Sequence, residues 1–125
     1  MRYTLLLHYQ EMTAGDIGED AIEAGKQAFH HYAKSLDDAG VLLSAEVLQP
    51  SANTTTLRLR DGKLRVQDGP FADSKEQLGG TFVIDVPDLD AALAWAEKCP
   101  VAMWGAIEIR PSGVRFSGGK WTPVS

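Results

Sequence analysis

From Arg2 to Gln10 the chain alternates, with Tyr3, Leu5, Leu7 and Tyr9 on one side and Thr4, Leu6, His8 and Gln10 on the other, as in a strand. A polar stretch containing Gly15 and Gly18 follows. Ile22, Phe29, Ala33 and Leu36 then recur at helical spacing with Tyr32 beside them, and Gly40 supplies a C-terminal stop. Strand character returns from Val41 to Gln49 and breaks at Pro50-Ser51-Ala52-Asn53. Thr54 to Arg60 and Leu64 to Gln67, joined through Asp61-Gly62, predict a hairpin with a two-residue or slightly longer turn. The β-branched run from Thr81 to Val86 predicts another strand. Pro87 ends it, and Asp88 offers a side-chain oxygen to cap a helix running to about Cys99. Leu89, Ala92, Leu93 and Ala96 form the apolar face of that helix, and Asp88, Asp90 and Lys98 suit its dipole. Pro100 stops it. Ala106 to Arg110 is the last full strand, and 112–125 is a Gly-rich tail with a short strand around Val114 to Phe116.

This order predicts an α+β fold: a ferredoxin-like split βαβ sandwich with an inserted β-hairpin, in a single domain over residues 1–125. Helices on one face of such a sheet leave the other open. Leu5, Leu7, Val41, Leu43, Val47, Phe82, Ile84, Ile107 and Ile109 make one apolar set. The opposite set mixes His8, Ser44, Glu46, Asp85, Glu108 and Arg110 with Leu6, Leu42, Leu48 and Val83. A half-apolar face carrying both charge signs suits a wet interface around a cavity better than plain solvent.

Composition narrows the function classes. A chain of 125 residues with 44% hydrophobic content can bury one core. A net charge of −5, with the 12 basic residues scattered, argues against a sequence-independent grip on nucleic acid. No run is long enough to span a bilayer, and Met1-Arg2-Tyr3-Thr4 leads into a strand pattern, so a cytoplasmic protein without membrane contact is expected. Cys99 stands alone, which excludes an intrachain disulfide and a thiolate metal cluster.

The densest stretch is the connection Asp68-Gly69-Pro70-Phe71-Ala72-Asp73-Ser74-Lys75-Glu76-Gln77-Leu78-Gly79-Gly80. Asp-Gly-Pro favours a tight reversal, and Ser74 with Gln77 is expected to cap one helical turn that Leu78-Gly79-Gly80 ends. This run resembles the signature of the DGPF group of YCII-related proteins. The likeness continues through Phe82-Val83-Ile84-Asp85-Val86-Pro87-Asp88-Leu89-Asp90, Cys99-Pro100 and Glu108-Ile109-Arg110-Pro111. The resemblance implies a homodimer in which two sheets face each other as a dimeric α/β barrel, the mixed faces lining the space between protomers. It also implies two competing roles: a binding or regulatory module, since relatives are often encoded beside alternative sigma factors, or an acid–base enzyme of lyase or dehydrochlorinase type. The histidine and Asp-Pro aspartate proposed as a dyad in many relatives are not carried over, because their positions hold Phe29 and Cys99-Pro100 here.

The candidate chemistry centres on His8. An imidazole near a carboxylate from Glu46, Asp85 or Glu108 can act as a base; the competing reading is a hydrogen-bonded interface histidine. Metal ligation lacks any supporting local spacing, and neither a metal nor a cofactor is expected. His30 and His31 cannot share a helix face and read as flanking and solvated residues. Cys99 reads as packing at a helix C-terminus, where the dipole disfavours a thiolate. Trp95 and Trp104 read as core or interface packing, and no hydrolase elbow, Walker loop or dinucleotide fingerprint is present. Asp68, Phe71 and Lys75 have ordinary readings as a turn acceptor, an edge plug and a solvated cation. Their position on a loop beside the mixed face makes them the wall of a small-molecule site. The expected site therefore has His8 and Asp68 as catalytic candidates, Glu46, Phe71, Lys75 and Glu108 as ligand contacts, and a small polar organic molecule as partner.

Overall fold

The computed structural model describes residues 1–124. In chain order it contains β1 (Arg2–Tyr9), α1 (Ala14–Ile17), α2 (Glu19–Asp38), β2 (Leu42–Val47), β3 (Thr55–Arg60), β4 (Lys63–Asp68), β5 (Gln77–Asp85), α3 (Leu89–Glu97), β6 (Ala106–Pro111), β7 (Val114–Ser117) and β8 (Lys120–Pro123). Short 3₁₀ turns occupy Ser51–Asn53 and Pro100–Met103.

Local chemistry sets the helix ends. The Asp16 carboxylate accepts from the Thr13 backbone N–H at 2.8 Å and from its hydroxyl at 3.0 Å, which starts α1 in the stretch expected to be loop. Those two contacts hold the Asp16 carboxyl below its ordinary value. Gly40, at φ 73°, closes α2: its N–H reaches Asp37 O at 2.9 Å, and the Val41 N–H reaches Leu36 O at 3.1 Å. This is a Schellman stop that satisfies two otherwise orphaned carbonyls. Asp88 caps α3 as expected, accepting from the Ala91 N–H at 2.9 Å.

Four strands form one antiparallel sheet in the order β2-β5-β1-β6. The α2 crossover from β1 to β2 skips β5, and the α3 crossover from β5 to β6 skips β1. Two split βαβ units result, an α+β arrangement consistent with a ferredoxin-like fold. β3 and β4 form a separate two-stranded ladder turned by Asp61-Gly62, both at positive φ, and β7 and β8 form another turned by Gly118-Gly119. The tail is thus a complete hairpin, longer than the single short strand expected.

The core lies on one side of the main sheet. Tyr3, Leu5 and Leu7 of β1 and Phe82 and Ile84 of β5 meet Tyr32 and Leu36 of α2, Ala92 and Ala96 of α3, and Cys99 and Val101. The Tyr32 and Phe82 rings pack 5.2 Å apart, and the Tyr32 hydroxyl donates to Trp95 O at 2.9 Å. Burial, with the neighbouring Cys99 as a smaller cause, pushes the Tyr32 phenol upward, so it stays a donor. Each aliphatic side chain removed from water here contributes about 1.5–3 kcal/mol. The opposite face carries Arg2, Thr4, Leu6 and His8, half-buried and flanked by Thr81, Val83, Glu46 and Glu108.

Two expectations fail at bulges. Leu42 pairs with Ile84 but Ser44 with Val83, which leaves Leu43 as an extra residue. Leu42 therefore packs against the core and Leu43 turns outward, 43% exposed, the reverse of the expected sets. Val47 keeps its parity but sits at a strand end, 67% exposed. The helical turn expected at Ser74 to Gln77 is absent, because β5 already begins at Gln77, and Gln77, Leu78 and Gly80 pair with β1.

Candidate functional site

The site grows from the second bulge. On β5, Leu7 pairs with Gly80 and His8 with Leu78, so Gly79 is the extra residue beside His8. Glycine lets the Tyr9 ring lie over the backbone there: a Cβ would stand 2.2 Å from Tyr9 Cζ, and the ring would have to move. The Tyr9 hydroxyl donates to Gly79 O at 3.3 Å, and burial, then the Glu11 carboxylate, raises its phenol. On the other flank, a Cβ on Gly105 would stand 2.3 Å from His8 O, so β6 enters the sheet pressed against β1. A side-chain packing contact at Gly79 and a close backbone approach at Gly105 therefore bracket His8.

Glu108, opposite Leu6 on β6, brings Oε1 to 2.5 Å from His8 Nε2. Nε2 is occluded and has no hydrogen-bond partner of proper direction, so the two side chains are in close contact without the geometry of a well-aimed hydrogen bond. His8 is about one-quarter exposed (27%) and Glu108 mostly exposed (60%).

Two concavities share the imidazole as a wall. One, of about 550 Å³, is bounded by Leu48, Pro50, Thr56, Phe71, Gln77 and Leu78. The other, of about 700 Å³, is bounded by Gln10, Lys75, Glu76, Trp104 and Glu108. Ser74 and Glu76 border both, so the Asp68 to Gly80 connection stands between them. Side chains fix that connection: Gln77 Nε2 donates to Ala72 O at 3.1 Å and to Ser74 O at 2.8 Å, and Ser74 Oγ donates to Glu76 O at 2.6 Å. Thr56 Oγ1 donates to Gly69 O at 2.8 Å, tying its start to β3. The exposed Phe71 ring lies 4.7 Å beneath the Arg58 guanidinium, a cation–π contact that holds it at the rim.

A family model described as the YCII-related domain matches residues 1–112. The chain belongs to the YCII-related family. It is 33% identical over 113 residues to "Uncharacterized protein R00369" of Rhizobium meliloti (strain 1021), covering 89% of this chain and 91% of that protein.

In this YCII-related chain the structure brings His8 together with Glu108, Lys75 and Phe71 and leaves two expected members aside. Asp68 ends β4 opposite Thr55 and is exposed, and it borders neither concavity at His8. Glu46 lies on the open face opposite Thr81, across β5 from β1, and borders neither concavity. Each strand step is about 4.8 Å, so two steps separate its backbone from β1. Gln10, Glu76 and Trp104 were missed as site residues. Gln10 carried a signal, since it continues the Thr4-Leu6-His8 face. Trp104 carried none, because its position depends on the turn at Pro100–Met103 and on Gly105.

Phe29 borders a third concavity of about 380 Å³ with Met12, Ile17, Ile22 and Trp104. Cys99 is fully buried in the core, and burial raises its thiol. No group of three or more His, Cys, Asp or Glu is arranged to hold a metal ion, and no helix is long and apolar enough to cross a membrane, among the described residues.

Proposed function

We propose that the chain is one protomer of a cytoplasmic homodimer, a dimeric α/β barrel of the DGPF type, that binds a small polar organic molecule in the cleft at His8 in a binding or regulatory role. The observation that carries the binding reading is the imidazole standing as the common wall of two concavities, with a carboxylate against it and a tied loop between them. Convergent polar groups on an otherwise apolar wall are what a ligand site needs.

Dimerisation draws support from unsatisfied apolar surface. The β3–β4 ladder carries Leu57, Leu59, Leu64 and Val66 on one face, between 59% and 65% exposed, and Arg58, Arg60, Lys63 and Arg65 on the other. An isolated two-stranded hairpin is marginal in water, and an apolar stripe of this kind marks an interface. Four cations against two carboxylates make Thr55 to Asp68 net positive, while the whole chain is −5, so this arm and the body of a second copy attract each other.

Native mass spectrometry of the purified dimer tests the binding reading, and light scattering tests its mass. A co-purifying metabolite lost in His8→Gln supports the cleft; a monomer at micromolar concentration contradicts the dimer. The His8–Glu108 contact favours a second reading, an acid–base enzyme in which the carboxylate orients the imidazole. In that case His8→Gln lowers turnover by roughly two to four powers of ten. A binding module loses only affinity.

A further inference from the structure

Building on the cleft reading, we propose that its ligand is an amphiphilic cation: an alkyl- or arylalkyl-ammonium whose head lies at Glu108 and Glu76 and whose apolar part enters the pocket beside α2. The concavity with Gln10, Lys75, Glu76 and Trp104 and the concavity with Met12, Ile17, Ile22 and Phe29 share two walls, Gln10 and Trp104. They are neighbouring compartments of opposite character.

The head compartment is acidic. Counting histidine neutral, the carboxylates of Glu76 and Glu108 outnumber the one ammonium, Lys75. Trp104 is 52% exposed, stands edge-on to Tyr9 at 5.3 Å, and offers a cation the most favourable of aromatic faces. A carboxylate ligand would meet both acidic groups, and like-charge juxtaposition is costly. The tail compartment carries no charged wall, and its only polar side-chain groups among the described residues are the Gln10 amide and the Trp104 indole N–H. Met12 and Ile17, 45% and 47% exposed, lie outside the core, and their pocket gives them a use. At Gly25, on the pocket wall in α2, a Cβ would meet nothing within 4 Å, so there is room for ligand atoms.

The experiment is a calorimetric titration of the full chain with primary alkylammonium ions from methyl to octyl, run beside the matching alkyl carboxylates. Ammonium affinity is expected to rise about fourfold per added methylene until the pocket is full. Carboxylates of equal length bind at least about tenfold more weakly. Gly25→Leu fills the pocket with a better helix former, so it folds, and it should flatten the chain-length dependence while leaving methylammonium binding unchanged. Glu108→Gln should weaken every ammonium by a similar factor and keep the slope. A flat slope in the wild type, tighter carboxylates, or a slope that survives Gly25→Leu overturns the inference. If neither series binds while a metabolite still co-purifies in a His8-dependent way, the ligand class is wrong and the cleft reading stands. If nothing binds or co-purifies, both fail.

Discussion

Replacing glycine by alanine at positions 105 and 25 makes the same chemical change, and the structure assigns the two substitutions opposite signs. At Gly105 the new Cβ would stand 2.3 Å from His8 O, 2.9 Å from Val101 Cγ1 and 3.1 Å from Tyr9 Cβ. An ordinary carbon–oxygen approach is about 3.3 Å, so β6 must retreat by about 1 Å at the point where His8 pairs with Ala106. No rotamer relieves this, because one obstacle is backbone and another is the fully buried Val101. Overpacking of this kind costs about 1–3 kcal/mol and outweighs the roughly 0.4–1 kcal/mol gained from a stiffer unfolded chain. At Gly25 the Cβ meets nothing within 4 Å in the middle of α2, and alanine should stabilise by about 0.5–1 kcal/mol. Urea unfolding followed by far-UV circular dichroism reads both changes, with the midpoint moving and the slope unchanged. Gly105→Ala as stable as wild type would refute the close approach, and with it the positioning of Trp104 and Glu108 beside His8.

Leu36→Ala removes a fully buried side chain between α2 and the sheet and should cost about 2–5 kcal/mol in the same assay. The Cys99 thiol is raised by burial above its ordinary 9.0 and the Tyr32 phenol above its ordinary 10.0. The stability each gives is therefore fully present below those values and lost as pH climbs through the folded pKa, so the urea midpoint should fall above about pH 9. A midpoint that stays level to pH 11 would contradict that burial. Cys99→Ser should keep whatever ligand or activity the cleft has, and loss of function in a folded chain would show the thiol is used. If the proposed dimer forms through the β3–β4 arm, Leu59→Asp with Leu64→Asp should halve the mass seen by light scattering while circular dichroism is retained; an unchanged mass would contradict that interface.

What the sequence makes legible is whatever a single segment decides by itself. Alternation in β1 puts Tyr3, Leu5 and Leu7 in the core and His8 opposite them, and Gly40, Asp61-Gly62 and Asp88 mark their boundaries through local backbone and capping chemistry. What it hides depends on pairing. Leu43 is apolar and in the right parity, yet one extra residue in β2 reverses its face, and nothing inside β2 announces the slip. Met12 and Ile17 sit in a stretch polar enough to pass for loop, and only folding brings them beside Phe29 and Trp104. The His8–Glu108 contact was within reach, because both residues belong to the mixed face, but Glu46 and Asp85 satisfy the same pattern. Strand order alone decides among them.

The connection from Asp68 to Gly80 shows how a loop can matter by a route its residue types do not suggest. Its charged residues invite a chemical reading, and its Gly-Gly reads as a helix stop. In the fold, the glycines are where two separate bodies press on β5: the Tyr9 ring over Gly79, and the Glu46 carbonyl 2.9 Å from where a Gly80 Cβ would be. The first contact lies at the bulge, and the bulge sets Leu78 opposite His8 at the cleft wall. Gln77 then anchors the preceding loop by two side-chain hydrogen bonds, leaving Lys75 and Glu76 on the rim of the second concavity. The glycines and the glutamine thus build the site while Asp68 stays outside it. Substitutions at Gly79 should disturb the cleft more than substitutions at Asp68, which inverts the order that charge alone would assign.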